Sequence, residues 1–427
     1  MIQTSRGLHA EWAGGAAALT PASLYIHIPF CFHKCHYCDF YSIVDTQDRQ
    51  DVFTERLIAE VGAISAAAQG QPLRTVFVGG GTPTLLRADL WERLGAALGE
   101  RFDLSAIRRG EPGTEFTVEC NPETADERLF GVLRSAGVNR LSIGAQSFDP
   151  EHLKTLERHH DPLNVERTLT LARAAGIERA SVDLIYAVPG QSVGSWRRDL
   201  ETALGLGVRH LSAYNLTYEP RTAMTARLER GLITPTDEDT EVAMFELTRD
   251  LTRRAGLERY EVSNYAAAGE VSHHNLSYWR QDAWLAAGPS ASGHAVVDRG
   301  GAGRGGHRWK NTARLDTYLR VSDDGFSAVE DYEAPDPLRA IAEVVMTGLR
   351  LAEGVDADDV LERARSIDGA RADRLESAIQ PAVRRGHLVD GPVSPRNPRA
   401  GRRWVLTDDG FLFADGIASD CIEALMG

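Results

Sequence analysis

Between residues 23 and 215 a short β-rich run, a loop and a helical stretch follow one another six times. The β-rich runs begin near Leu24, Arg74, Glu115, Arg140, Arg179 and His210. Several helical stretches end in glycine and resume at once with a β-branched residue, at Gly137-Val138, Gly176-Ile177 and Gly207-Val208. A glycine just past the last helical residue takes the left-handed conformation at little cost, so each pair marks a helix end and the approach to a strand. Thr124-Ala-Asp-Glu127 has the spacing of a capping box opening one of these helices. Alternating β/α units predict a parallel sheet with helices outside it. Periodicity does not separate an open doubly wound sheet from a barrel-like one.

From about residue 236 the pattern changes. Asp237 to Arg254 predicts an amphipathic helix, followed by an irregular stretch rich in His, Tyr, Trp and Gly. Residues 299–306 (Arg-Gly-Gly-Ala-Gly-Arg-Gly-Gly) predict a flexible loop, and the missing Gly-Lys-Ser/Thr ending excludes a phosphate loop. Residues 337–385 read as helical. The last stretch carries Gly386-His-Leu-Val and Arg403-Trp-Val-Leu before a final helix, which suggests a winged-helix-like end. The expected division is a loose lead-in at 1–22, a β/α core at 23–235, a distinct region at 236–335 and a helical end at 336–427.

A chain of 427 residues is long enough for two or three domains and a large core. The net charge of −14 argues against a nucleic-acid binder, which would carry a basic surplus. No apolar run approaches the roughly 20 residues of a membrane span, and Glu11 interrupts the apolar Gly14–Leu19 neighbourhood with no basic segment before it. The expected location is the cytoplasm. Three of the five cysteines fall within eight residues, a spacing of metal binding rather than of a disulfide framework.

Those three lie in Tyr25-Ile-His-Ile-Pro-Phe-Cys31-Phe-His-Lys-Cys35-His-Tyr37-Cys38-Asp-Phe40, directly after the first strand. Ligands of parallel α/β sheets sit at that carboxyl end. Three thiolates can hold three irons of a cubane and leave the fourth open. Zinc is the alternative, with His27, His33 or His36 as a fourth ligand. Cys120 stands apart and reads as a small packed residue.

The Cys-x3-Cys-x2-Cys spacing, with Tyr37 before the last cysteine, resembles the signature of the radical S-adenosylmethionine (SAM) superfamily. The resemblance implies a partial (β/α)6 TIM-like barrel with a mainly helical C-terminal region. It implies a [4Fe–4S] cluster on Cys31, Cys35 and Cys38 whose open iron takes the amine and carboxylate of SAM. Electron transfer into the sulfonium would release a 5′-deoxyadenosyl radical, and that chemistry belongs to the cofactor. Val78-Gly79-Gly80-Gly81-Thr82-Pro83 is similar to the loop that binds the SAM amino group in this family. Tyr25, Glu119, Gln146, Arg158 and Asp183 match SAM-contact positions of the coproporphyrinogen-dehydrogenase-like branch.

Two groups of that branch share these motifs. One is the oxygen-independent coproporphyrinogen III dehydrogenases, which usually carry a further Cys two residues after the third. The other is the haem chaperones of the HemW type. Here Asp39 and Phe40 follow Cys38, the chaperone form. His274-Asn275-Leu-Ser-Tyr278-Trp279 resembles the chaperones' His-Asn-x-x-Tyr-Trp motif. That likeness implies haem ligation by His274, with His273 beside it as the other candidate, and flat apolar surface from Tyr and Trp. Trp284 to His294 departs from the family's usual glycine-rich run. The function implied is haem binding and delivery to haem proteins such as membrane respiratory enzymes, with peripheral membrane attachment during delivery. An electron donor is implied if SAM is cleaved, and a homodimer is compatible with the reading. The alternative is radical decarboxylation of coproporphyrinogen III.

Overall fold

The computed structural model describes residues 20–298, 304–321, 326–392 and 401–427. Six parallel strands appear where the β-rich runs were expected: β1 (Ser23–Ile28), β2 (Thr75–Gly80), β3 (Glu115–Cys120), β4 (Arg140–Gln146), β5 (Arg179–Tyr186) and β6 (His210–Asn215). The three glycines after the helices have φ of +109°, +81° and +70°, as a left-handed helix end requires. Successive residues of each strand face opposite ways. One face carries Leu24, Ile26, Val76, Val78, Phe116, Val118, Leu141, Ile143, Val182 and Leu211, all inaccessible to solvent. They form one hydrophobic core with Phe53, Leu57, Leu90, Leu94, Leu133 and Trp196 of the intervening helices. The other face carries Tyr25, His27, Phe77, Glu115, Glu119, Ser142, Ser181, Asp183 and His210. Covered parallel sheets are usually apolar on both faces, so a polar inner face marks a surface kept for chemistry.

Residues beyond 236 continue the same sheet. They supply β7 (Glu258–Glu261), β8 (Asn264–Ala266), β9 (Trp284–Ala287), β10 (Ser292–Asp298), β11 (Arg304–Asn311) and β12 (Val329–Glu333). The strand order is β12-β11-β10-β9-β1-β2-β3-β4-β5-β6-β8-β7, with two free ends, so the barrel is incomplete. β9 lies parallel to β1 as a seventh parallel strand inside the stretch expected to be irregular. The other additions pair antiparallel.

Two expectations are corrected. The loop expected at 299–306 extends past the described residues at 299–303, and Arg304 to Gly306 belong to β11. Glycine is needed in this ribbon because Gly293 pairs with Trp309, whose ring occupies the space a Cβ would fill. The helix after β3 is capped by Asp126, which accepts from Leu129 N–H at 2.9 Å, and not by Thr124. Pro122 opens a short 3₁₀ turn first, and Thr124 Oγ1 donates back to Asn121 O at 2.8 Å. Asp237 caps the Glu238–Arg254 helix as its spacing suggested.

At the C-terminus, a helix (Pro337–Gly348) precedes β13 (Val355–Asp356) and helices Ala357–Ile367 and Gly369–Ala378. The ribbon β14 (Leu388–Gly391) and β15 (Arg403–Leu406) follows, giving the element order of a winged helix. Among the described residues no helix is long and apolar enough to cross a membrane.

Candidate functional site

The cysteine loop leaves β1 at Pro29 and is closed at its neck. Cys31 N–H donates to Ile43 O at 2.9 Å, and Ile43 N–H donates to Pro29 O at 2.8 Å. Within the loop Cys38 N–H donates to Cys35 O at 3.2 Å. Two outside segments hold its tip: His36 N–H donates to Leu156 O, and Met224 N–H donates to His36 O. Cys31 Sγ lies 3.5 Å from Thr82 Oγ1, and Arg158 Nη1 lies 3.8 Å from Cys35 Sγ. Burial, and next the neighbouring thiols, push Cys38 up to about 11, and burial raises Cys31 as well. Protons are therefore held on these sulfurs until a metal displaces them. Tyr37 packs beside Cys35, Cys38 and Arg158, and burial raises its hydroxyl too.

The donor set fits a three-thiolate cluster better than a closed zinc site. Cys120 and Cys421, the other described cysteines, are buried in the core. The histidines that could complete a zinc shell are engaged elsewhere. His27, lowered to about 4 by burial, donates from Nε2 to Tyr41 O at 2.8 Å and accepts from Tyr25 O–H at 3.0 Å. His36 Nδ1 accepts from Arg227 at 3.2 Å. His33 and His36 both face Glu157, with Nε2 at 4.0 and 3.6 Å from its oxygens.

The glycine loop at the end of β2 lies against the start of the cysteine loop. Gly81 N–H donates to Ile28 O and Thr82 N–H to Phe30 O, both at 2.8 Å. A Cβ at Gly79 would meet the Glu119 carboxylate at 2.9 Å, one at Gly80 the His27 ring, and one at Gly81 the Pro29 and Phe30 backbone at 2.7 Å. Gly80 also has φ +107°. Each glycine is thus required by a protein neighbour before any ligand enters. Glu119 accepts from Gly80 N–H at 3.0 Å, and burial raises its carboxyl to about 7.

Gln146 sits at φ +64° on a bulge of β4, a local distortion that re-aims a side chain. Arg158 donates from Nη2 to Gly144 O at 2.6 Å, while its buried Nε has no partner within the protein. Asp183 accepts from the hydroxyls of Ser142, Ser181 and Ser212 at 2.6 to 2.9 Å. Cys31, Cys35, Tyr37, Cys38, Thr82 and Arg158 therefore meet at one end of the sheet, with Gly80, Gly81 and Glu119 beside them. A cradle of glycines, a buried carboxylate and an unpartnered guanidinium nitrogen suits a ligand with both amine and carboxylate groups, as SAM has.

His274 is not in that group. It lies beside Thr75, the first residue of β2, about 16 Å from Gly80 at the strand rise of about 3.3 Å per residue. Its ring is inaccessible, with Nδ1 2.8 Å from Thr75 Oγ1 and Nε2 2.7 Å from the Tyr278 hydroxyl. Its backbone N–H donates to the buried Glu115. Both ring nitrogens of His274 are thus engaged within the protein, and ligating a haem iron would require one of these hydrogen bonds to break. His273 is partly exposed.

Sequence reasoning missed a file of rings along the inner face. Tyr25 stacks near Phe77, Phe77 on His274, His274 against Tyr278, Tyr278 against Trp284 and Trp284 against His294, with centroids 4.6 to 6.3 Å apart. The period-two placement of Tyr25 and His27, and of Thr75, Phe77 and Gly79, carried the signal.

The radical SAM superfamily model matches residues 25–203. The haem chaperone HemW of Lactococcus lactis is 35% identical over 78% of this chain and 83% of its own. That of Mycobacterium tuberculosis is 33% identical over 95% of each chain. The solved structure of coproporphyrinogen III oxidase (HemN) from Escherichia coli, a radical SAM enzyme, superimposes with a TM-score of 0.77 at 22% identity. That match covers 97% of this chain and 93% of the other. The likeness shows the fold. The sequence relatives place this chain in the HemW family of the radical SAM superfamily.

Proposed function

We propose that the protein is a haem chaperone that binds haem and hands it to haem proteins such as respiratory enzymes. The observation that carries the reading is Cys38-Asp39-Phe40, where the coproporphyrinogen dehydrogenases of the branch have a further thiol. The relatives named as haem chaperones support it. In this reading Cys31, Cys35 and Cys38 hold the [4Fe–4S] cluster, with Thr82 and Arg158 contacting its sulfur ligands. Gly80, Gly81, Glu119, Gln146 and Asp183 line the SAM cradle. The cluster with SAM would supply one-electron chemistry, and the protein's part is to hold and screen the pair. Residues 23–235 serve that pair and residues 236–335 serve haem. The protein works in the cytoplasm and meets membrane-bound acceptors peripherally.

His273 is the better placed haem ligand of the two adjacent histidines, because it does not have to break a buried pair of hydrogen bonds. The test is anaerobic reconstitution, haem titration by absorption spectroscopy, and a coproporphyrinogen III turnover assay with SAM and reductant. Stoichiometric haem binding without turnover is expected, with the haem spectrum altered in His273→Ala. Turnover by the intact protein would overturn the chaperone reading, and spectra unchanged in both His273→Ala and His274→Ala would move the haem site.

A further inference from the structure

We propose a second metal site, for a divalent transition ion, made by His33, Glu157 and His159 on the outer side of the cysteine loop. One ligand atom from each residue falls within 4.8 Å of the others. Glu157 Oε1 lies 4.0 Å from His33 Nε2 and 3.7 Å from His159 Nε2. The two imidazoles meet edge to face with centroids 4.9 Å apart. An ion with nitrogen and oxygen ligands at about 2.0–2.1 Å brings such atoms to about 3.3–3.5 Å. Closing the triad therefore takes rotations of exposed side chains by about an ångström.

Three further observations separate this cluster from a chance meeting of surface groups. Glu157 is held at φ +57°, a conformation non-glycine residues adopt at a cost, and its carboxylate lies between the two imidazoles. The other carboxylate oxygen is already positioned. Because Arg227 donates to His36 Nδ1, the His36 proton sits on Nε2, 3.6 Å from Glu157 Oε2. An outer partner of this kind orients a ligating carboxylate. Finally, a cavity of ≈ 320 Å³ lined by Glu157, Arg158, His159 and His160 opens beside the triad. His160 is 6% exposed, and neither of its ring nitrogens has a hydrogen-bond partner. Two imidazoles, one carboxylate and an adjoining cavity form an open site of the kind that takes zinc or ferrous iron.

The site joins the cysteine loop, through His33, to the turn that carries Arg158. An ion there ties the loop bearing the cluster ligands to the segment that contacts Cys35. None of its three ligands belongs to the SAM cradle, and the proposal stands whether or not the chain carries haem.

The test uses cluster-loaded protein, so that the cysteines are occupied, titrated anaerobically with zinc against a chromophoric chelator. One zinc per chain is expected. His33→Ala, His159→Ala and Glu157→Gln should each weaken it by at least about tenfold, the size seen when even outer partners are lost. His387→Ala, a ring stacked on Phe413 in the C-terminal region, serves as control and should bind normally. Iron content confirms that each variant keeps its cluster. Zinc absorption spectra should show only nitrogen and oxygen at about 2.0–2.1 Å. A sulfur shell, absence of zinc binding, or equal affinity in the three variants would overturn the proposal.

Discussion

Replacing Gly81 by alanine should damage the cluster site together with the edge of the SAM cradle that Gly81 lines. The new Cβ would lie 2.7 Å from Phe30 O and from the Pro29 carbonyl carbon. Normal contact begins near 3.4 Å, so the two backbones must part by about 0.7 Å, and neither neighbour is a flexible side chain that could swing aside. The parting stretches the bonds from Gly81 N–H to Ile28 O and from Thr82 N–H to Phe30 O. Overpacking costs about 1–3 kcal/mol and two weakened backbone bonds add about 1 kcal/mol each at most, for a total of about 1–5 kcal/mol. The same movement draws Thr82 away from Cys31.

The assay is iron per chain after anaerobic reconstitution, paired with a thermal melt. Gly81→Ala should melt lower and hold less iron. Gly207→Ala provides the comparison. It has φ +70° with nothing within 4 Å of the new Cβ, so it carries backbone strain of about 1 kcal/mol without a clash. It should lose some stability and keep its iron. If Gly81→Ala reconstitutes fully and melts with the wild type, the contact between the two loops does not position the cluster ligands.

Two more outcomes follow from buried carboxylates. Glu119 is raised by burial from 4.5 to about 7, so in SAM-free protein its relative stability is full below about pH 4.5 and is lost as pH rises through 7. Glu119→Gln should therefore raise the melting temperature at pH 8 and not at pH 4.5, while SAM affinity in the wild type falls below pH 7 as the carboxylate protonates; equal shifts at both pH values would contradict the assignment. Glu60 accepts from Tyr318 O–H, Gly288 N–H and Asn311 Nδ2 at 2.5 to 2.8 Å. Glu60→Ala should destabilise the protein by about 3 kcal/mol or more, read by denaturant titration, and a loss under about 1 kcal/mol would show that water replaces the carboxylate.

The parts legible in the sequence were those set by neighbours along the chain. The six β/α strands began where the β-rich runs placed them, three of them just after a helix-ending glycine and a β-branched residue. The cysteine loop was legible because its ligands are seven residues apart from first to last. What stayed hidden depended on distant partners. β9 has four residues, and its pairing with β1 and β10 makes it a strand. Arg304-Gly-Gly306 has a loop's composition, and a cross-strand ribbon with Trp309 and His294 rings over its glycines overrules that composition. His274 matched a haem motif by type, while the hydrogen-bond partners that occupy its ring, Thr75 and Tyr278, lie on another strand and a later turn of its own helix. The meeting of Glu157 with His33 and His159 was not legible, because His33 comes from a distant loop and Glu157 sits at a positive φ.

These distant partners also explain how the cluster loop is held. On one side Leu156, Arg158 and Met224 grip it from within the β/α core. On the other, Tyr41 receives His27 Nε2–H on its carbonyl and Leu315 N–H on its hydroxyl, and Arg49 pairs with Asp316 at 2.7 Å. Gly288 packs onto the His27 backbone where any side chain would collide, and Glu60 fixes that approach through Gly288 N–H. The departure from the usual glycine-rich run therefore keeps a glycine at the point of closest approach to β1. Residues after 236 are thus part of the scaffold behind the cysteine loop, since they hold His27, Tyr41 and Arg49 on either side of it. Three thiols in a loop free on that side would sample many separations, and a cubane accepts few of them. The added strands supply the missing constraint through the backbone pairing of β9 with β1.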